Sequence, residues 1–292
     1  MITRQLGTDG PEISCIGLGA WPIGGGMGQV NENTAIETIH TAIEHGITFI
    51  DTAQAYKTSE EIIGKALKGG YRDRCFLATK VSGNYSQNGI KTALENSLQM
   101  LNVDYVDLYQ IHHYDPKYPI EESMETLQLL QEQGKIRFIG VSNFYINEMK
   151  KIPQTTKIVS NQLRYNMLDR EIEREDIYFC EQSNIGILAH SSLAKGLLGG
   201  RYNPDFKFSV NDERLHLPRF RGDLFTRHLT LIEILKQIAN QKGVTLVQLA
   251  IAWILRLPVI SCALVGVKNP TQVQELIAAT NITFSDDELK HL

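Results

Sequence analysis

The chain has 292 residues, 42% of them apolar and 21% charged, which places it among globular proteins able to bury a large core and excludes disordered and collagen-like classes. Its formal charge of -4, with lysines and arginines spread along the chain, speaks against a general binder of phosphate polyanions, so no nucleic-acid partner is expected. The longest apolar run, residues 249–255, falls far short of the roughly 20 residues a bilayer span requires, and the first residues carry no apolar leader; a cytoplasmic protein without a membrane partner is expected.

A short hairpin is predicted first, over residues 3–6 and 12–16. From there two element types alternate. Short apolar, often β-branched runs predict strands at 16–19, 48–51, 75–79, 106–111, 136–141, 157–161, 186–189 and 261–265. Apolar residues three and four apart predict helices between them, as in Ala35, Ile36, Ile39, Ala42, Ile43 and in Ile90, Ala93, Leu94, Leu98, Leu101. Further helices are predicted over 59–68, 120–133, 172–183, 224–241, 245–256 and 271–280, with Thr245 and Gln248 forming a capping box. The longest irregular stretch, 199–223, reads as a loop that binds a ligand or is simply solvated.

Eight strand–helix units in this length close most economically into an α/β (β/α)8 TIM barrel, with residues 1–292 as one domain. An open doubly wound sheet is the alternative. It normally carries a Gly-x-Gly-x-x-Gly turn after its first strand, and the glycines at 24, 25, 26 and 28 have the wrong spacing.

Such barrels do their chemistry where the carboxyl ends of the strands converge. The strand exits carry Gly19, Ala20 and Trp21; Asp51; Lys80; His112; Ser142 and Asn143; Gln162; His190 and Ser191; and Gly266 with Lys268. Asp51 and Lys80 on adjacent strands predict an ion pair, which keeps the lysine charged and argues against a Schiff base. Tyr56 follows Asp51 closely enough to bring its hydroxyl back over the mouth, where a cation favours its ionised form. Adjacent strand residues point to opposite sides, so only one of His112 and His113 is expected to face the mouth, and no metal is expected. The cysteines, Cys15, Cys75, Cys180 and Cys262, lie far apart and read as buried reduced thiols.

The segments Gly46-Ile-Thr-Phe-Ile-Asp-Thr-Ala-Gln-Ala-Tyr56, Ala78-Thr-Lys80, Asp104-Tyr-Val-Asp-Leu-Tyr-Gln-Ile-His112 and Gly134-Lys-Ile-Arg-Phe-Ile-Gly-Val-Ser-Asn-Phe144 resemble, in order and spacing, the signatures of the aldo-keto reductases. The resemblance covers essentially the whole chain. It implies a (β/α)8 barrel that reduces aldehydes and ketones with NADPH. It implies a catalytic set of Asp51, Tyr56, Lys80 and His112: Tyr56 gives a proton to the carbonyl oxygen, Lys80 held by Asp51 lowers the phenol pKa, and His112 orients the carbonyl.

The resemblance also implies cofactor contacts. Gly19, Ala20, Trp21 and Asp51 line the first two strand exits, while Ser142, Asn143 and Gln162 meet the nicotinamide carboxamide. Ser191, Ser192, Leu193, Ala194 and Gly196 form the pyrophosphate turn, Arg201 and Arg214 fold over the cofactor, and Gly266, Lys268, Gln272 and Glu275 serve its adenosine end. The substrate pocket is expected at Trp21, Tyr56, His112 and His113.

Several positions depart from the family pattern. His190 stands for a stacking tyrosine, Ser192 for proline, His113 for an aromatic wall residue, Gln272 for an arginine on the 2'-phosphate, and Leu276 for an asparagine at the adenine. Lys268 can supply the phosphate charge, so NADPH is favoured with NADH left open. A short C-terminal end implies an open pocket for a small aldehyde or ketone, in a monomer or weak homo-oligomer. The alternative is a cofactor-sensing subunit resembling the potassium-channel β subunit, with slow residual reductase chemistry.

Overall fold

In the computed structural model, which describes residues 1–210 and 212–292, the apolar runs pair side by side and close on themselves. Asn211, inside the 199–223 stretch, lies outside the described residues. An antiparallel hairpin comes first, β1 (Thr3–Gln5) and β2 (Glu12–Ser14), with Thr3 opposite Ser14. The barrel strands are β3 (Ile16–Gly19), β4 (Phe49–Asp51), β5 (Phe76–Val81), β6 (Val106–Ile111), β7 (Ile136–Ser142), β8 (Ser160–Arg164), β9 (Gly186–His190) and β10 (Ile260–Val265). All eight are parallel, and β10 returns to β3 with Ala263 opposite Ile16, so the sheet is a closed TIM barrel with a hairpin at its start.

The helices are α1 (Glu32–Glu44), α2 (Ser59–Ala66), α3 (Gln87–Leu101), α4 (Ile120–Glu132), α5 (Ile146–Met149), α6 (Asp176–Gln182), α7 (Gly222–Lys242), α8 (Leu246–Leu255), α9 (Pro270–Ile277) and α10 (Asp286–Leu289). In α1 the side chain of Asn31 accepts from the Thr34 N–H, and Ala35, Ile39, Ala42 and Ile43 form the buried stripe. The Thr245–Gln248 capping box opens α8, which is buried on every side except at Gln248. Among the described residues no single helix is long and apolar enough to cross a membrane.

Three expectations shift. The sixth barrel strand begins at Ser160, three residues later than expected, because its inward residues Ser160 and Gln162 are polar and the apolar pair Ile158-Val159 lies just before it. A four-residue helix, α5, follows β7 where none was predicted, while α7 and α8 both lie between β9 and β10 as expected. The helix expected over 172–183 is divided into a 3-10 turn (Glu171–Glu173) and α6, and the 199–223 stretch contains 3-10 turns at Glu213–His216 and Pro218–Phe220. The cysteines are free thiols, with Cys15, Cys180 and Cys262 buried and Cys75 half-buried.

Alternation along each strand sends every second side chain inward. In the lower barrel these are Phe49, Ala78, Leu108, Leu188, Cys262 and Leu264, joined by Leu6 and Ile13 from the hairpin. The hairpin therefore plugs the end of the barrel opposite the strand exits. Arg4 fastens it there by donating to the carbonyl oxygens of Leu255 (2.5 Å), Ile260 (2.7 Å) and Leu257 (3.1 Å). Hydrogen bonds from a charged donor contribute about 2 kcal/mol. Arg4→Ala is expected to lower the unfolding free energy by about that much, read as a lower urea midpoint, while Arg4→Lys recovers only part because an ammonium lacks the fork that reaches all three carbonyls.

Candidate active site

Above the apolar layers the inward positions turn polar. Parallel register sets Lys80 of β5 beside Gln110 of β6, and Ser142 of β7 beside Gln162 of β8, while Asp51 ends β4. Lys80 Nζ donates to Asp51 Oδ2 at 2.6 Å, to Thr52 O at 2.8 Å and to Tyr56 Oη at 3.3 Å. The other oxygen of Asp51 accepts from Gln162 Nε2 at 2.9 Å and from Gln110 Nε2 at 3.3 Å. Gly140 leaves room for this: a Cβ there would lie 2.5 Å from Ser160 Oγ and 3.2 Å from Gln110 Cγ. Burial alone would favour a neutral amine at Lys80, but Asp51 and Tyr56 outweigh it and hold the ammonium charged above the ordinary lysine range.

A tight turn after β4, with Tyr56 N–H donating to Ala53 O at 2.9 Å, folds the phenol back over the mouth. Its ring stands edge-on to Trp21 (centroids 5.1 Å apart) and to His112 (5.7 Å). Burial pushes the phenol above its ordinary pKa. Lys80 acts against this, in the direction expected from the sequence, but offsets only part of it.

His112 follows β6, and its Nδ1 lies 2.8 Å from Ser82 Oγ, while its carbonyl accepts from Asn143 Nδ2 at 3.0 Å. Burial, followed by the charge of Lys80, takes its imidazole down to about 2. Both His112 and His113 face the cavity, with rings stacked 4.7 Å apart and 6° from parallel. The expectation that only one would do so is corrected: β6 ends at Ile111, so the strand alternation no longer applies to the pair. His190 Nε2 lies 3.1 Å from Asn143 Oδ1 and its Nδ1 3.0 Å from Ser191 Oγ; burial, then Arg164, takes its pKa down to about 3.

These groups line one cavity of about 440 Å³, within the usual size range of small-molecule sites. Its wall includes Gly19, Trp21, Asp51, Tyr56, His112, His113, Ser142, Asn143, Gln162, His190, Ser191, Ser192, Leu193, Gly196 and Gly266. Lys80 lies fully buried beneath it, and Ala20 and Ala194 are buried behind it. Backbone strain gathers at the rim, where Asn143, Ser191, Ala194 and Lys195 all hold left-handed φ between 48° and 58°.

Residues 15–292 match the profile of the Aldo/keto reductase family. The chain belongs to that family of oxidoreductases. It is 40% identical to aldo-keto reductase YhdN of Bacillus subtilis (strain 168), over 99% of this chain and 91% of that protein. A glycerol dehydrogenase of Gluconobacter oxydans superposes with a TM-score of 0.88 at 33% identity, over 99% of this chain and 93% of the other. An aldo/keto reductase of Klebsiella pneumoniae, solved with NADP and acetate, gives 0.80 at 28% identity, over 100% and 94%.

Arg201, Arg214, Lys268, Gln272 and Glu275 lie outside the cavity wall. Met27 pairs with Asp212 in a bridge across the mouth; Arg214 is tied to Asp212 at 2.6 Å, and Lys268 Nζ donates to Met27 O. Gln272 Oε1 accepts from the Lys268 N–H at 2.7 Å, and the Glu275 carbonyl accepts from Gln248 Nε2 at 3.1 Å. Arg201 is not brought to the cavity: it follows the left-handed turn at Gly200 and is exposed.

The sequence reading missed Met27, Arg164, Lys195 and Glu213, all in the wall. Arg164 stands two residues after Gln162 on β8, so the two-residue period alone points to it. Lys195 lies within the turn already singled out. Glu213, whose Oε1 accepts from both Trp21 Nε1 and Lys195 Nζ at 2.7 Å, has no local signal because it sits on an aperiodic stretch.

The unfolded chain binds protons on its imidazoles near pH 6.5, whereas folded His112 and His190 stay neutral down to about 2 and about 3. The unfolded state thus gains protons first as pH falls, and stability declines from about 6.5 downward. His190→Gln, which keeps a donor toward Asn143 and removes the titration, is expected to flatten that decline in urea midpoints compared between about pH 7 and pH 5.

Proposed function

We propose that this family member is a carbonyl reductase that converts small aldehydes and ketones to alcohols with a nicotinamide dinucleotide, NADPH in preference to NADH. The observation that carries the reading is the 3.3 Å contact between Tyr56 Oη and the buried, charged Lys80 Nζ, in a cavity shared with His112. A reduced nicotinamide cofactor, when bound, would supply the hydride for the carbonyl carbon. Tyr56 supplies the proton that the carbonyl oxygen takes up, completing the alcohol.

A proton donor of this kind has to be protonated beforehand and stabilised afterwards. Burial keeps the phenol protonated at neutral pH, and the Lys80 ammonium, kept charged by Asp51, stabilises the phenolate left behind. His112, neutral and on the same wall, directs the carbonyl oxygen toward Tyr56.

The donor set fits the cofactor. Gln162 has its amide nitrogen committed to Asp51, so its carbonyl oxygen remains for the carboxamide NH2, with Ser142 and Asn143 beside it. His190 offers a neutral ring to stack on the nicotinamide. The strained segment from Ser191 to Gly196, with Arg214 near it, suits the pyrophosphate, and Lys268 at the approach to α9 suits a 2'-phosphate. The polar wall at His113 favours carbonyl compounds that carry a further hydroxyl, in keeping with the similarity to a glycerol dehydrogenase.

Tyr56→Phe is expected to reduce NADPH-linked reduction of glyceraldehyde by a factor of about 10² to 10⁴, while NADPH still quenches tryptophan fluorescence with unchanged affinity. Retained turnover overturns the proton-donor role. Lys268→Met is expected to raise the KM for NADPH about tenfold and leave that for NADH where it was; equal changes for both would remove Lys268 from the 2'-phosphate.

A further inference from the structure

We infer that Ser82 sets the tautomer of His112, donating its hydroxyl proton to Nδ1 so that the ring's hydrogen resides on Nε2 and faces the cavity. The inference extends the carbonyl-orienting role of His112 proposed above, and names Ser82 as a positioning residue.

The sheet itself brings the two together. β5 ends at Val81, so Ser82 is the first residue past the strand, and the His112 N–H donates to Val81 O at 3.1 Å. Neighbouring strand exits therefore hold the hydroxyl and the ring in fixed register, with Ser82 Oγ 2.8 Å from Nδ1. The Ser82 N–H donates to Gln54 Oε1 at 3.3 Å, which fixes the serine backbone from the other side. Among the described residues Nδ1 of His112 is the one partner of the Ser82 hydroxyl.

A neutral imidazole carries one N–H, and burial keeps His112 neutral. Were that hydrogen on Nδ1, Ser82 would accept it and Nε2 would turn a bare lone pair toward the lone pairs of a carbonyl oxygen, a repulsive contact. With Ser82 as donor, Nε2–H is the hydrogen-bonding face.

The same accounting holds one step further round the cavity. Asn143 Nδ2 donates to His112 O at 3.0 Å and to Ser142 Oγ at 2.9 Å, so its Oδ1 is an acceptor. His190 Nε2, 3.1 Å away, must therefore be the donor. Asn143 thus fixes the His190 tautomer outright, whereas the Ser82 hydroxyl, which can bond in either sense, matches the His112 tautomer that presents a donor to the cavity.

Two measurements test this. Long-range ¹⁵N–¹H correlation on the unliganded protein, with His112→Gln to assign the signal, is expected to show His112 protonated at Nε2; protonation at Nδ1 overturns the proposal. This reading needs no activity, so it stands or falls separately from the carbonyl chemistry.

The second is a pH profile. Ser82→Ala is expected to reduce kcat/KM for glyceraldehyde about tenfold with NADPH affinity unchanged, and Ser82→Thr, which keeps the hydroxyl, to restore it. Ser82→Asp presents only an acceptor and draws the hydrogen to Nδ1. Its activity is expected to be low at neutral pH and to rise as pH falls and the ring gains a second proton. A Ser82→Asp profile parallel to the wild type, or a Ser82→Thr variant as impaired as Ser82→Ala, would sink the assignment.

Discussion

A lysine and an aspartate stripped of water inside a barrel constrain everything around them. Removing two charges from solvent costs several kcal/mol each unless their remaining hydrogen-bonding capacity is filled. Here it is filled: Lys80 spends its donors on Asp51, Thr52 and Tyr56, and the second oxygen of Asp51 takes amide hydrogens from Gln162 and Gln110. The five side chains come from β4, the turn behind it, β5, β6 and β8, so the pair's full set of partners comes together only when the sheet has curled far enough to bring β8 across from β4. A one-residue slip of β5 would turn Lys80 outward and bring Thr79 or Val81 into the interior. The ion pair thus contributes specificity of register as much as stability.

The apolar layers below the pair and the aromatic frame above it serve the same end. Phe49, Leu108 and Leu188, with Leu6 and Ile13 of the hairpin, keep water from reaching Lys80 from the closed end. Trp21, Tyr56 and His112 meet edge to face at the open end, leaving the phenolic oxygen as the route by which the buried charge is felt in the cavity. The phenol of Tyr56 sits at that balance, because burial raises its pKa while the ammonium lowers it and both act on one oxygen.

Much of this was legible beforehand, for reasons that also explain the misses. Strand positions follow from short apolar runs, and Asp51, Lys80 and His112 stand out because ionisable residues interrupt those runs where strands end. β8 was displaced by three residues because the rule seeks apolar inward positions, whereas Ser160 and Gln162 face a polar interior. Strand alternation allowed only one of His112 and His113 at the mouth because it was carried past the end of β6, whereas the family resemblance put both in the pocket, where both lie. Gln110 belongs to the inward row of β6 with Leu108, and its bond to Asp51 was implicit in that parity. Arg201, just past the left-handed turn at Gly200, is exposed outside the cavity wall, and the contact of Glu213 with Trp21 joins residues 192 positions apart with no pattern between them.

Closure joins β3 to β10, and Arg4 reaches the carbonyls of Leu255, Leu257 and Ile260. The first barrel strand to leave the ribosome can pair with β4 early, but it cannot find its second neighbour until nearly the entire polypeptide has been made. Such long-range closure slows folding and leaves a sheet edge unpaired during synthesis. The nascent chain must pass through that open stage each time the protein is made.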